Sequence, residues 1–167
     1  MISFRELRKG DLDFLVDIRN ECRELLHNDS KFTLAQAAEW FDRTHPQFFL
    51  ITEGTTEIGY FRTSNWDSKN RHLYVGCDLH TDFRGKGLAQ AAYTAFLRFL
   101  FAELGMNKVS LEVLEHNDRA KHLYRKLGFT IEGIKRQEVW REGRYLDSIM
   151  MSMLKSEYAA STAPFRR

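Results

Sequence analysis

Apolar residues crowd together over residues 73–79 and then return every third or fourth position over residues 88–104. The first pattern predicts a strand, and the second a long helix with Leu88, Ala92, Ala95, Phe96, Phe99 and Leu100 on its inner stripe. Upstream, Ile2, Phe4 and Leu7 predict a first strand. Gly10-Asp11 reads as a turn and cap, and Leu12, Leu15, Ile18, Cys22 and Leu25 recur at helical spacing to about Leu26. Thr33-Leu34-Ala35-Gln36 fits a capping box for a second helix, which His45-Pro46 ends. Residues 47–52 and 58–63 predict a hairpin across Glu53-Gly54-Thr55-Thr56. Later, 108–114 predicts a strand, and Ala120, Leu123, Tyr124 and Leu127 mark a short helix closed by Gly128. Residues 129–139 and 145–154 read as two long strands around Arg141-Glu142-Gly143-Arg144. Strands, then helices, then more strands make this a mixed α/β chain, a mixed sheet with helices on both faces. Residues 1–155 read as a single domain and 156–167 as a frayed carboxyl-terminal tail.

Composition narrows the class. With 167 residues and 43% hydrophobic content, the chain holds enough apolar material for one full core. A net charge of +2 is too weak to point to nucleic acid without a clustered basic face. Cys22 and Cys77 have neither C-x-x-C nor metal spacing, so no metal is expected, and a reducing compartment suits them. The amino-terminal segment alternates apolar and charged residues, and no later stretch approaches the roughly 18 continuous apolar residues of a membrane span. The expectation is a soluble, cytoplasmic protein that binds neither membrane nor nucleic acid.

The candidate chemistry sits where the 73–79 strand hands over to the long helix, through Arg84-Gly85-Lys86-Gly87-Leu88-Ala89. Gly85 and Gly87 let the backbone curl close to a ligand, and the helix adds free amino-terminal N–H donors and a positive dipole end. That makes an anion site, most naturally for phosphate, with Arg84 and Lys86 as adjacent cations. A Walker loop needs G-x-x-x-x-G-K-[ST], which is absent. A dinucleotide fingerprint needs a third glycine where Gln90 stands. What remains is R-x-x-G-x-A, which resembles the acyl-CoA pyrophosphate loop of the GNAT N-acetyltransferases.

A second stretch strengthens the resemblance. Asn117, Ala120 and Leu123-Tyr124-Arg125-Lys126-Leu127-Gly128-Phe129 follow a strand in the order and at the distance of a second GNAT motif. The run Glu132-Gly133, Arg136, Gly143, Tyr145, Asp147 and Met150 is similar to the carboxyl end of the RimJ/RimL-like branch. The resemblance implies a GNAT-like, mostly antiparallel twisted sheet of about six or seven strands. It also implies acetyl-CoA as co-substrate and an amine as acceptor.

Such a transfer needs no protein nucleophile: an amine attacks the thioester carbonyl, and a thiolate leaves whose parent thiol has a pKa of about 8.5. The resemblance implies that backbone N–H groups around Leu79, His80 and Thr81 hold pantetheine or polarise the carbonyl, and that residues Arg84, Gly85, Lys86, Gly87, Leu88 and Ala89 take the pyrophosphate. Asn117 would bond the pantetheine amide, a role compatible with a helix N-cap. Tyr124 occupies the family position of the general acid, although helical spacing beside Leu123 and Leu127 would also suit core packing. A base must deprotonate an ammonium acceptor; Asp78, His80 and Glu112 are candidates, with Asp78 first, and a water chain as the alternative. His116 and His122 read as surface residues, and both cysteines as core.

The acceptor is less determined. Arg19, Asn20, Arg23, His27 and Asn28 lie on the helix and loop that the resemblance places at the acceptor side, and Arg19 and Arg23 share one helix face. They suit an anionic acceptor such as a nucleotide-linked amino sugar better than a polyamine; a protein N-terminus or small amine goes with the RimJ/RimL resemblance; solvated helix faces look the same. A non-catalytic acyl-CoA sensor is a further alternative. Monomer and homodimer are both compatible with the sequence.

Overall fold

The computed structural model describes residues 1–162. In order, the elements are β1 (Ile2–Glu6), α1 (Leu12–Cys22), α2 (Leu34–Thr44), β2 (Phe49–Glu53), β3 (Thr56–Asp67), β4 (His72–Leu79), α3 (Leu88–Arg98), β5 (Lys108–Leu114), α4 (Asp118–Leu127), β6 (Thr130–Arg141), β7 (Arg144–Leu154) and α5 (Lys155–Thr162). The seven strands hydrogen-bond in the order β1-β2-β3-β4-β5-β7-β6. β4 and β5 run parallel, while β1–β2, β2–β3, β5–β7 and β6–β7 are antiparallel. Among the described residues no helix is long and apolar enough to cross a membrane. The mixed, mostly antiparallel sheet expected from the sequence is the sheet observed.

The chain forms two compact units. In the first, Met1–Ser64 with Val75–Phe96, the inner faces of α1 and α2 pack as their periodicity requires: Leu12, Leu15, Ile18 and Ala37 are buried in one cluster with Tyr60. Each large apolar side chain so buried contributes about 1.5–3 kcal/mol. Phe96 is the hub of an aromatic group, stacked on Phe61 at 4.1 Å and met edge-on by Phe4 at 5.1 Å. The capping box of α2 is present, with Gln36 N–H donating to Thr33 Oγ1 at 3.2 Å and Thr33 N–H to Gln36 Oε1 at 2.9 Å. His45 ends the helix in the left-handed region, immediately before Pro46.

The second unit joins Asn65–Tyr74 to the described residues from Leu97 onward. After α3 the chain widens into a π-turn over Phe99–Glu103, with Leu104 N–H reaching Phe99 O at 2.9 Å. The long β6–β7 hairpin is bent where Gln137 adopts a positive φ of 54°. Asp147, part of the carboxyl-terminal motif, stabilises that bulge by accepting the Gln137 N–H at 2.8 Å. The tail departs from expectation. Residues 155–162 are helix, anchored by Tyr158 stacked on Phe101 at 5.0 Å and by Leu154 N–H donating to Glu157 Oε2 at 2.8 Å. The rest of the expected tail, 163–167, lies outside the described residues.

Candidate active site

β4 delivers the chain to the glycine loop. His80 N–H donates to Ile58 O at 2.9 Å, a short 3-10 turn spans Thr81–Phe83, and α3 begins at Leu88. Gly85 and Gly87 have φ of 80° and 77°, a conformation that strains any side chain. A Cβ on Gly87 would meet nothing within 4 Å, so it is the backbone shape that demands glycine there. The first intrahelical bond of α3 runs from Ala91 N–H to Gly87 O, which leaves the donors of Leu88, Ala89 and Gln90 without an acceptor inside the helix. Exposed donors on a left-handed turn, with the exposed Lys86 among them, fit a pyrophosphate.

Arg84 does not extend into this site. Its Nε donates to Leu79 O at 2.9 Å and its NH2 to Cys22 Sγ at 3.0 Å, so the guanidinium ties the loop back to the strand end. Arg84, expected to serve phosphate, has its guanidinium engaged by Leu79 and Cys22 in this structure, and Lys86 is the exposed cation of the loop. Cys22 also faces Leu79 O, at 3.8 Å. Burial, then the charge of Asp78, pushes its thiol up to about 12, so it stays protonated as this bonding requires. Burial drives Cys77 well above the ordinary thiol range as well.

Two of the strand-end amides are engaged. Thr81 presents its N–H and its hydroxyl together to Glu21 Oε2, at 3.0 and 2.9 Å, while the His80 N–H belongs to the sheet. Burial works against a charged Glu21, but the Thr81 bonds, His80 and Arg84 outweigh it and lower its pKa. His80 Nδ1 accepts the Asp82 N–H at 3.2 Å, and Nε2 lies 3.3 Å from Glu21 Oε1.

Glu21 and His80 also line an open cleft of about 680 Å³. Its other walls are Asp17, Asn20, Lys31 and Glu57, with Phe14 and Phe83 as apolar surface. The lining carries three carboxylates and one ammonium, while Arg84 stands 3.9 Å from Glu21 and Arg5 3.5 Å from Glu57. Arg19 and Arg23 are not part of it. The Arg19 guanidinium donates to Ser30 O at 2.7 Å and Asn28 O at 3.3 Å, and sits 4.9 Å from the Phe32 ring centroid, so it holds the α1–α2 connection in place. Arg23 stands exposed in the 3-10 turn after α1. Arg23 thus lies beyond the end of α1, and the Arg19 guanidinium is spent on loop carbonyls.

Asp78 is equally committed. It is buried, and Arg62 grips it with Nε at 2.7 Å from Oδ2 and NH2 at 3.3 Å from Oδ1. Gly76 makes this possible, because a Cβ there would stand 2.7 Å from Arg62 NH2. A base needs a lone pair open to the amine, and both oxygens of Asp78, the first-choice base expected from the sequence, face the Arg62 guanidinium. Glu112 is likewise held, by Lys135 at 2.6 Å.

In the second unit, Asn117 caps α4 by accepting the Ala120 N–H at 3.2 Å. Tyr124 is buried on the same helix, its ring 5.9 Å from that of Phe129, and Phe129 N–H returns to Tyr124 O at 2.9 Å. Gly128, with φ of 100°, closes the helix and permits that return. Sequence reasoning missed Glu21, Asp17, Glu57 and Arg62. The i, i+4 spacing of Asp17 and Glu21 on α1 was the available signal. Among the described residues no cluster of His, Cys, Asp and Glu could hold a metal ion.

The Acetyltransferase (GNAT) domain family matches residues 2–130. The spermidine N(1)-acetyltransferase of Escherichia coli (strain K12) is 37% identical over 165 residues, 95% of this chain and 89% of that enzyme. A putative ribosomal N-acetyltransferase of Bacillus subtilis (strain 168), YdaF, is 29% identical over 109 residues, 65% of this chain and 59% of that protein. The crystal structure of spermidine N-acetyltransferase from Vibrio cholerae in complex with CoA and spermine superposes with a TM-score of 0.88 at 24% identity, covering 94% of this chain and 97% of that one, and so shares the fold.

Proposed function

We propose that this chain, which belongs to the GNAT family and is an acetyl-CoA-dependent N-acetyltransferase, acetylates a primary amine of an aliphatic polyamine of the spermidine type. One observation carries the choice of acceptor: the side chains lining the cleft beside the β4 end include three carboxylates, Asp17, Glu21 and Glu57, and one ammonium, Lys31, with Arg84 3.9 Å from Glu21 and Arg5 3.5 Å from Glu57 outside that lining, so the lining itself presents a negative field. A chain of ammonium groups is attracted by that field, and a nucleotide diphosphate is repelled by it. The spermidine activity of the Escherichia coli relative supports the same reading.

Acetyl-CoA, bound at the glycine loop, supplies the thioester carbonyl that the neutral amine attacks. Residues Gly85 to Ala89 receive the pyrophosphate through backbone donors, and Lys86 adds charge. Leu79, His80 and Thr81 form the backbone next to the thioester, and Asn117 keeps its capping role while its amide serves pantetheine. Tyr124 donates a proton to the leaving sulfur. With Asp78 occupied, the ammonium proton leaves through water in the open cleft. A peptide N-terminus, which goes with the RimJ/RimL-like run around Asp147, is the second reading; the same carboxylates then select against acidic side chains beside that terminus.

The test is an acceptor panel with acetyl-CoA, reading free thiol. Spermidine and related polyamines should support turnover. Turnover confined to a nucleotide-linked amino sugar or to peptides would overturn the polyamine reading, and binding of acetyl-CoA without any turnover would favour a sensor.

A further inference from the structure

We propose that Arg84 is a positioning residue for acetyl transfer: it serves the coenzyme by locking the glycine loop to the carboxyl end of α1, through Leu79 and Cys22, rather than by touching phosphate. This rests on the reading above that the glycine loop receives the pyrophosphate. The lock is a closed triangle. Arg84 Nε donates to Leu79 O at 2.9 Å, Arg84 NH2 donates to Cys22 Sγ at 3.0 Å, and the Cys22 thiol donates to Leu79 O at 3.8 Å. The thiol's single proton goes to the carbonyl while its sulfur lone pair takes the guanidinium N–H, so each partner completes the other two. A rigid, planar fork that grips a strand end and a helix end at once fixes its own main chain against both.

Glu21, the residue before Cys22, adds a second fastening. Its Oε2 accepts the Thr81 N–H and hydroxyl at 3.0 and 2.9 Å and lies 3.9 Å from Arg84 NH2. Two consecutive residues in the last turn of α1 therefore hold positions 79, 81 and 84. Between these points the main chain holds itself: His80 N–H donates to Ile58 O at 2.9 Å, Phe83 N–H to His80 O at 2.9 Å, and Arg84 N–H to Thr81 O at 3.2 Å. The left-handed Gly85 follows at once, so the fastened segment ends where the glycine loop begins. A glycine loop is costly to order when its ligand arrives, and a fixed take-off point lowers that cost before binding. Lys86 does different work. It is exposed, with its ammonium 5.8 Å from the Phe83 ring centroid, so charge for phosphate and shape for the loop come from different residues. A lysine in place of Arg84 would keep the charge, but its single nitrogen lacks the fork that reaches Leu79 O and Cys22 Sγ together.

The experiment is calorimetric binding of acetyl-CoA to the wild type and to Cys22→Ala, Cys22→Ser, Arg84→Met, Arg84→Lys and the Cys22→Ala, Arg84→Met double variant, with thermal unfolding of each. No acceptor is needed, so the outcome is independent of the polyamine reading. Arg84→Met should weaken binding roughly ten- to hundredfold, the scale of a lost charged hydrogen-bond donor. Cys22→Ala alters only a buried side chain of α1, yet should weaken binding roughly two- to tenfold. Cys22→Ser, whose hydroxyl can donate to Leu79 O and accept from Arg84, should restore most of that affinity. Because the two residues act as one unit, Cys22→Ala should change affinity by less than about twofold in the Arg84→Met background. Arg84→Lys should bind nearly as weakly as Arg84→Met, and should Arg84→Met fail to fold, Arg84→Lys with Cys22→Ala completes the same cycle. A Cys22 that only filled the core would lower the unfolding temperature of Cys22→Ala without weakening acetyl-CoA binding, and that result overturns the lock. Fully additive losses in the double variant, or wild-type affinity in Arg84→Lys, also overturn it and assign Arg84 to phosphate. Unaltered acetyl-CoA affinity in Gly87→Glu defeats instead the glycine-loop reading, and the lock with it.

Discussion

Glu21 reaches from α1 to hold Thr81 by its N–H and its hydroxyl at once, at 3.0 and 2.9 Å. One carboxylate therefore belongs both to the acidic cleft and to the turn that opens the glycine loop.

The loop's demand is conformational. Gly87 at φ of 77° has open space around its Cβ position, so a replacement is not excluded by contact but is strained by backbone shape and blocks the approach of an anion. Gly87→Glu adds like charge to the pyrophosphate besides. Calorimetry should show strongly weakened acetyl-CoA binding; unchanged affinity would remove the loop from the cofactor site.

Tyr124→Phe should lower turnover by about 10²- to 10⁴-fold, the usual scale for a lost general acid, with acetyl-CoA affinity nearly intact. Its buried ring beside Phe129 is kept by the substitution, so packing is preserved. Normal turnover in the variant would return Tyr124 to a packing role only.

The Arg62–Asp78 pair predicts a stability effect. Removing Arg62 leaves the Asp78 carboxylate, with 6% of its side chain exposed, without its counter-charge. A fully buried pair would cost about 3–5 kcal/mol to break, but Arg62 is 39% exposed and solvent screens part of this, so about 1–3 kcal/mol is expected for Arg62→Ala by urea unfolding. Arg62→Ala with Asp78→Asn should recover much of the loss; a single variant as stable as the wild type would show that the pair is dispensable.

The parts of this molecule that local chemistry determines were legible in the sequence. The glycine loop, the α2 capping box and the Lys108–Leu114 strand are each set by residues within a few positions of one another. β3 runs on to Asp67, four residues past its apolar stretch, because Ser64, Asn65, Trp66 and Asp67 have no alternation to reveal it. α5 was missed because its polar, small-residue sequence is fixed by the distant stack of Tyr158 on Phe101. The direction of a side chain was the least legible feature. Arg84 stands in a phosphate-binding pattern yet turns back to Leu79 and Cys22, and Glu21 gains its meaning only from Thr81, 60 residues later.

The central claim is that the acidic cleft selects a polycation. Its most direct measurement is kcat/KM, by free thiol release, for spermidine against a nucleotide-linked amino sugar at equal acetyl-CoA. One charge-assisted contact of about 1.5–3 kcal/mol corresponds to roughly ten- to hundredfold, so spermidine should lead by at least about tenfold, and the lead should shrink as salt rises. A higher kcat/KM for the nucleotide-linked amino sugar, or a spermidine rate no greater than the rate without acceptor, would contradict it.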